Sequence, residues 1–158
     1  MGILNEKTYL GVCRLKMAST QNIASATETE LNFNTLASLG YDPFVMGNLA
    51  NHSITVREPG AYFINVAVHW DGEVTPVSYT YRYIRLWVNG VAAAGVNVPT
   101  TVAANDLTLD TIVQSTAILD LNAGDVIEAR AAQGSGETLT VLTAYSNFTV
   151  FRLPVNHK

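Results

Sequence analysis

The sequence predicts an all-β domain, a sandwich or a jelly roll, on three observations. Apolar residues alternate with period two in nearly every strong segment, turn signals separate these segments at short intervals, and helical spacing never extends beyond a single turn. About eight to ten strands can be placed in this way, which is typical of closed two-sheet architectures.

The clearest strand runs from Tyr62 to Trp70. Every second residue of this segment is large and apolar, which predicts that one face of the strand is buried in the core. The opposite face, which includes Phe63 and His69, is mixed rather than polar. We therefore expect this second face not to be open to water along its whole length.

Turn signals set the remaining elements. Asn89-Gly90 predicts a tight hairpin after the segment that ends at Val88. Further turns are expected at Glu58-Pro59-Gly60, 122–125 and 134–136, and 99–107 is interpreted as a loop. Other strands are expected at Tyr9–Lys16, Glu30–Asn34, Ser53–Arg57 and Tyr145–Leu153. The expected core residues around the 122–125 and 134–136 turns are Leu121, Ile127, Ala129, Leu139 and Val141.

Composition excludes several functions. The chain has 158 residues, enough for one domain with a sizeable core. Its net charge is −4 with nine Lys and Arg and no basic run, which argues against nucleic-acid binding. No apolar run approaches the roughly 20 residues of a membrane span. Cys13 is the only cysteine, so no intrachain disulfide can form, and we expect it to fill the core.

An aromatic face is predicted on the strand before Asn89. In "YTYRYIRLWV" the residues Ile84, Leu86 and Val88 can fill the core. The residues of opposite parity are Tyr79, Tyr81, Tyr83, Arg85 and Trp87. Tyr, Trp and Arg are enriched at protein interfaces, so this face is predicted to contact another chain. The alternative is an ordinary surface with scattered aromatic residues.

Several motifs together resemble a known family. "REPGAYFINVAVHW", "IRLWVNG", "LDLNAGDVIEARAAQGSG" and "YSNFTVFRL" resemble successive strands and turns of the globular heads of complement-type proteins, a branch of the tumour-necrosis-factor-like jelly rolls. The resemblance covers about Thr8 to Leu153. The segment "VCRLKMASTQNIASATETELNFNT", followed by "YDP", resembles versions found in bacteriophage structural proteins. The resemblance implies a ten-strand jelly roll that forms a compact homotrimer through apolar and aromatic contacts.

This resemblance gives the expected domain plan and function. Residues 1–7 would form an N-terminal arm, 8–154 the jelly roll and 155–158 a tail. The expected role is a non-enzymatic virion protein on the particle surface, either a capsid decoration or head fibre or a tail-associated tip. Its partners would be itself and other virion proteins. The expected trimer interface comprises Phe63, His69, Tyr79, Tyr81, Tyr83, Arg85 and Trp87.

Two alternatives remain open at this stage. Ile3 and Leu4 in the arm are candidates for docking to the particle, but simple terminal disorder explains the arm equally well. The chain could instead recognise a glycan or protein receptor on the host surface through the loops 72–78 and 99–107. That alternative depends on fold analogy, because jelly rolls include many lectins.

No catalytic or cofactor motif is evident. His52, His69 and His157 are not at zinc-ligand spacing. Asp106 and Asp110 are weak calcium candidates, although two aspartates among threonines more often belong to a solvated loop. The Asp125 carboxylate is expected to accept backbone N–H groups in its turn. We therefore expect neither an enzyme nor a cofactor-binding protein.

Overall fold

The computed structural model describes residues 11–37, 42–72, 81–93, 98–100 and 110–154. These residues form antiparallel β-structure without a helix, so none of them forms a helical membrane span. The strands are β1 Val12–Lys16, β2 Gln21–Ile23, β3 Thr29–Glu30, β4 Thr35–Leu36, β5 Gly47–Asn48, β6 Ser53–Thr55, β7 Gly60–Trp70, β8 Arg82–Val88, β9 Val91–Ala92, β10 Val98–Thr100, β11 Thr111–Leu121, β12 Val126–Gln133 and β13 Leu139–Arg152.

The strands form two sheets that pack face to face. Sheet A has the order β11-β7-β13-β1-β4, and β2 also pairs with β13. Sheet B has the order β10-β8-β12-β6-β5, and β3 and β9 pair with β12 and β8. Consecutive long strands such as β7 and β8 therefore lie in opposite sheets, which is the topology of a jelly roll. The predicted all-β jelly-roll class is confirmed.

The core lies between the sheets and is built by alternation. From Tyr62 to Trp70, all five residues of the predicted core face are at most 1% exposed. Ile84 and Leu86 on β8 are fully buried, and the half-buried Val88 packs against the same core. The five residues predicted to be core around the 122–125 and 134–136 turns are all buried as well.

The predicted hairpin at Asn89-Gly90 is confirmed, and a side-chain clasp joins it to the 122–125 turn. Asn89 and Gly90 have φ values of 52° and 75°, as a primed turn requires. Asn89 Nδ2 donates to Asp125 Oδ1 at 2.8 Å, and Asn89 Oδ1 accepts from Val126 N at 2.9 Å. Asp125 Oδ2 also accepts from Asn122 N at 2.7 Å, which is the turn-stabilising role predicted for it. The bond from Asn89, followed by that from Asn122, lowers the pKa of Asp125.

Cys13 is fully buried in the core, as the sequence predicted. Burial, followed by the charge and hydrogen bond of the nearby Asp42, raises its pKa to about 12. The thiolate is therefore a negligible species at neutral pH.

Three predicted element boundaries differ from the structure. The predicted loop 99–107 begins inside β10, whose Pro99 lies on the outermost strand in the sheet B order, where proline is tolerated; residues 101–107 lie outside the described residues. The final strand does not begin at Tyr145, because β13 continues from Leu139 through a bulge. The strand expected at Glu30–Asn34 is only the two-residue β3, and the residues from Leu31 to Asn34 are not in a strand.

Candidate functional surfaces

One apolar row crosses the outer face of sheet A, the face directed away from the core. Val12, Phe151, Phe63 and Ile118 lie side by side on four neighbouring strands, β1, β13, β7 and β11. The rings of Phe63 and Phe151 are 4.8 Å apart, centroid to centroid. Ile118, at the end of the row, is 63% exposed. Such a contiguous apolar row on an outer face is a candidate contact surface.

A second apolar row lies near the other end of the same face. Ile112 on β11 pairs with His69 on β7, and His69 pairs with Leu142 on β13. Tyr145, in the β13 bulge, packs against His69 with the two rings tilted by 57° and their centroids 5.5 Å apart. Ile112 is 53% exposed and Tyr145 is 71% exposed. The two apolar rows and the residues between them are called the sheet A outer face below.

Two polar rows separate the apolar ones. Gln114 Nε2 donates to Asn65 Oδ1 at 2.5 Å within this band. Thr116 and Thr149 flank Asn65 in one row, and Lys16 and Asn147 lie in the next. Hydrogen-bonding groups in the middle of an apolar face can fix the relative orientation of a partner, because an unpaired polar group is costly to bury.

The outer face of sheet B is organised around the Glu28 carboxylate. Glu28 Oε2 accepts from Tyr83 Oη at 3.1 Å and from Arg85 Nη1 at 2.7 Å, and Oε1 accepts from Trp87 Nε1 at 2.7 Å. These residues are called the Glu28 cluster. The pKa of Tyr83 is raised by burial and by the hydrogen bond to Glu28. The polar groups of Tyr83, Arg85 and Trp87 therefore have an acceptor within the chain.

Stacking adds to the cluster on both sides. The guanidinium carbon of Arg130 lies 3.9 Å from the centroid of the Trp87 ring, and Arg130 Nη2 donates to Glu128 at 3.2 Å. Tyr81 is stacked on Tyr83 with an interplanar angle of 16°. The cations are thus distributed over aromatic faces and carboxylates of the same sheet.

The predicted trimer-interface residues do not form one surface. Phe63 and His69 belong to the outer face of sheet A, whereas Tyr81, Tyr83, Arg85 and Trp87 belong to sheet B on the opposite side of the sandwich. Tyr79 lies outside the described residues. Alternation predicted correctly which residues point away from the core, but it carries no information about the sheet to which each strand belongs.

Of the two weak calcium candidates, only Asp110 lies among the described residues. Asp110 Oδ2 lies 3.1 Å from His69 Nε2, and Asp110 Oδ1 accepts from Gly72 N at 3.2 Å. Its carboxylate therefore already has two contacts within the chain. Asp106 lies outside the described residues, as do the docking candidates Ile3 and Leu4. Within the described ranges, no three His, Cys, Asp or Glu side chains group as metal ligands would.

Sequence reasoning missed three features of these surfaces. Glu28 lies in a polar segment without periodicity, so nothing local indicated its three contacts across β8. Tyr145 was assigned to a regular strand, although it has a φ of 64° in a bulge. The charged Arg82 shares the parity of Ile84 and is 1% exposed, with its guanidinium 5.9 Å from the Trp70 ring centroid. Burial lowers its pKa.

Comparison with solved structures supports the fold. The globular domain of the zebrafish complement 1qA protein matches with a TM-score of 0.59 at 16% sequence identity, over 92% of this chain and 99% of that chain. The Eiger TNF structure from S. frugiperda matches with a TM-score of 0.55 at 13% identity, over 94% of this chain and 96% of that chain. No protein-family model and no curated protein matches the sequence. The chain therefore has a tumour-necrosis-factor-like jelly-roll fold, in agreement with the resemblance seen in the sequence.

Proposed function

We propose that the chain is a non-enzymatic structural protein that forms a homotrimer through the sheet A outer face and is displayed on a bacteriophage particle. It would serve as a capsid decoration or head fibre or as a tail-associated tip. The observation that carries self-association is the pair of apolar rows on sheet A, one crossing four strands and the other three, which end in the exposed Ile118, Ile112 and Tyr145.

The balance of polar contacts favours sheet A over sheet B as the contact surface. On sheet B, the Glu28 cluster already pairs its donors with an acceptor, so a partner there would have to match groups that are satisfied in the single chain. On sheet A, the exposed groups at the ends of the rows are hydrocarbon and aromatic. Burying a few hundred Å² of such surface gives on the order of 10 kcal/mol before the cost of association.

Light scattering of the full chain at micromolar concentration tests the trimer. We expect a mass three times the 17.1 kDa of one chain. The variant Ile118→Asp would place a carboxylate in the apolar row and should weaken assembly at least tenfold. A monomeric mass for the unmodified chain at this concentration would overturn the proposal.

Val91→Asp is the matched control. Val91 is 68% exposed, close to the 63% of Ile118, but it lies on β9 of sheet B. The control should assemble like the unmodified chain. Equal loss of assembly in both variants would show that any added surface carboxylate disrupts it, and the assignment to the sheet A outer face would fail.

The location on a phage particle is supported by the sequence resemblance of the segment from Val12 to Thr35 and the following "YDP" to phage structural proteins. We expect the protein to sediment with intact particles and to be visible on their surface by electron microscopy. Deletion of residues 1–7 should leave the trimer intact and abolish particle attachment, since Ile3 and Leu4 are the proposed docking residues. Normal incorporation of the deletion variant would refute the docking role.

Receptor recognition is the alternative function. Apart from residues 72, 99 and 100, its two candidate loops lie outside the described residues. No observation on the described part of the chain favours it over self-association.

A further inference from the structure

We propose that one proton held between His69 and Asp110 fixes the β13 bulge and its exposed Tyr145, so that the sheet A outer face is set for self-association at acidic pH and loosens when the proton leaves. We call this arrangement the His69 latch. Its effect on assembly rests on the proposed function, whereas the latch itself can be tested in a single chain.

The bulge is held by contacts from one residue of the neighbouring strand. The pairing of β13 with β7 shifts between Leu142 and Asn147, so the residues between them are displaced from the ladder. His69 N donates to Ser146 Oγ at 3.0 Å, and Ser146 Oγ donates to Leu142 O at 2.6 Å. The His69 ring contacts both Ala144 O and the Tyr145 ring. His69 thus touches the bulge through its backbone and through its side chain.

Tyr145 has a backbone conformation that needs this support. Its φ of 64° lies in the left-handed region, which is unfavourable for a bulky residue and persists only where surrounding contacts enforce it. The side chain is nevertheless 71% exposed, so burial in the core does not explain the conformation. Bulges that redirect a side chain are common at functional sites. Here the redirected side chain ends the second apolar row of the sheet A outer face.

The acceptors around the His69 ring require an extra proton. Nδ1 lies 2.8 Å from Ala144 O, and a carbonyl oxygen can only accept, so Nδ1 must carry a proton. Nε2 lies 3.1 Å from Asp110 Oδ2, and this contact also needs a proton, carried either by the ring or by the carboxyl group. A neutral ring facing an ionised carboxylate has one proton too few for both contacts. One of the two contacts must then be lost.

The neighbouring titratable and charged groups surround the pair from several strands. Asp110 precedes β11, Asp71 follows His69 in the chain, the Tyr145 phenol belongs to β13, and the buried Arg82 on β8 interacts electrostatically with both aspartates. His69 itself is 7% exposed, whereas the Asp110 side chain is 55% exposed, so the proton can leave to solvent through Asp110.

The loss of this proton has a directional effect on the surface. An imidazole exchanges its second proton between about pH 5 and pH 8. Below this range both ring contacts form, and Ala144 O, Asp110 and the Tyr145 ring are held together. Above it the ring can donate to only one acceptor, so the bulge is less constrained and an assembly that needs a fixed Tyr145 becomes weaker.

Nuclear magnetic resonance of the ¹⁵N-labelled full chain, combined with sedimentation velocity from pH 5.5 to pH 8, tests the latch. We expect the Tyr145 and Ser146 amide shifts to follow the titration of the His69 ring nitrogens. We also expect the dissociation constant of the assembly to rise by at least about tenfold over this range, since each proton linked to assembly can change it by up to tenfold per pH unit. In D110N the amide nitrogen can donate to an unprotonated Nε2, so both responses should be much smaller than in the unmodified chain while the fold is kept.

His52→Asn is the matched control. His52 is a second histidine facing a carboxylate, with Nδ1 3.4 Å from Glu30 Oε1, but it lies beside sheet B, and asparagine tolerates its φ of 51°. This variant should keep the pH response of the unmodified chain. Bulge amides that ignore the ring titration, or a D110N variant that responds like the unmodified chain, would overturn the latch. A monomer at every pH whose bulge still titrates would support the latch and refute the proposed trimer.

Discussion

The Glu28 cluster should contribute substantially to the stability of the single chain. Glu28→Ala removes an acceptor that holds Tyr83, Arg85 and Trp87 at 3.1, 2.7 and 2.7 Å. Hydrogen bonds to an ionised group contribute about 1.5–3 kcal/mol each where the donors have no other partner. Here the side chain of Arg85 is 31% exposed and that of Glu28 is 18% exposed, so the donors partly regain water. Halving the sum gives a loss of about 3 kcal/mol, or about 6–12 °C in Tm for a chain of this size.

Urea unfolding followed by tryptophan fluorescence measures this loss. The protein concentration must be held constant, because self-association adds a concentration-dependent contribution to the free energy of unfolding. Glu128→Ala is the control on the same sheet. Its carboxylate makes one contact, 3.2 Å from Arg130 Nη2, and should contribute less than about 1 kcal/mol.

Two results would contradict this reasoning. A loss for Glu28→Ala no larger than that for Glu128→Ala would mean that water satisfies the donors as well as the carboxylate does. Dissociation of the assembly in Glu28→Ala, at a concentration where Glu128→Ala remains assembled, would mean that the sheet B outer face is the contact surface. The choice of sheet A would then be wrong.

Three further predictions concern single positions. Cys13, with its raised pKa of about 12, should resist alkylation at pH 8 in the folded chain and react readily in urea; equal rates in both would contradict its burial. Asn89 lowers the pKa of Asp125, so the stabilisation by the Asp125 carboxylate should be present above the ordinary aspartate pKa of about 3.9 and lost as pH falls below it. The difference in the free energy of unfolding between the native chain and Asp125→Asn should therefore disappear on acidification. A difference that stays constant with pH would refute this linkage. In Gly134→Ala the new Cβ would lie 2.3 Å from Tyr81 Cε1, and the Tyr81 ring can move aside because it is a side chain. We therefore expect the near-ultraviolet circular dichroism to change while the free energy of unfolding falls by only about 1 kcal/mol. A loss of several kcal/mol would show that the backbone, not the ring, has to move.

The parts of the fold that depend on local chemistry could be predicted from the sequence. Period-two alternation identified the buried face from Tyr62 to Trp70, because successive side chains of a strand point to opposite sides. Asn89-Gly90 identified a hairpin, because both residues tolerate the positive φ values that the turn requires. The core role of Cys13 followed from its solitary, apolar setting.

The errors occurred where long-range contacts override local preference. A three-residue change of register at the β13 bulge depends on the contact of His69 with Ser146, two residues that are 77 positions apart in the chain. A proline ordinarily indicates a loop, but Pro99 lies on β10, the outermost strand in the sheet B order, and an outermost strand tolerates a missing N–H. Glu28 is a single acid in a polar segment, and its role depends on β8, which is more than fifty residues away.

The choice of contact surface follows from the same distinction between local and long-range information. Tyr83 and Phe63 were grouped because both are aromatic and both face away from the core, and those two properties are local. The topology places them on opposite faces of the sandwich, and the contacts then separate them further. Tyr83 donates to a carboxylate of its own chain, whereas Phe63 lies in a row that ends in the exposed Ile118. Because a partner gains most where apolar groups are still exposed, we propose the face that contains Phe63, and not the more aromatic face that contains Tyr83, as the contact surface.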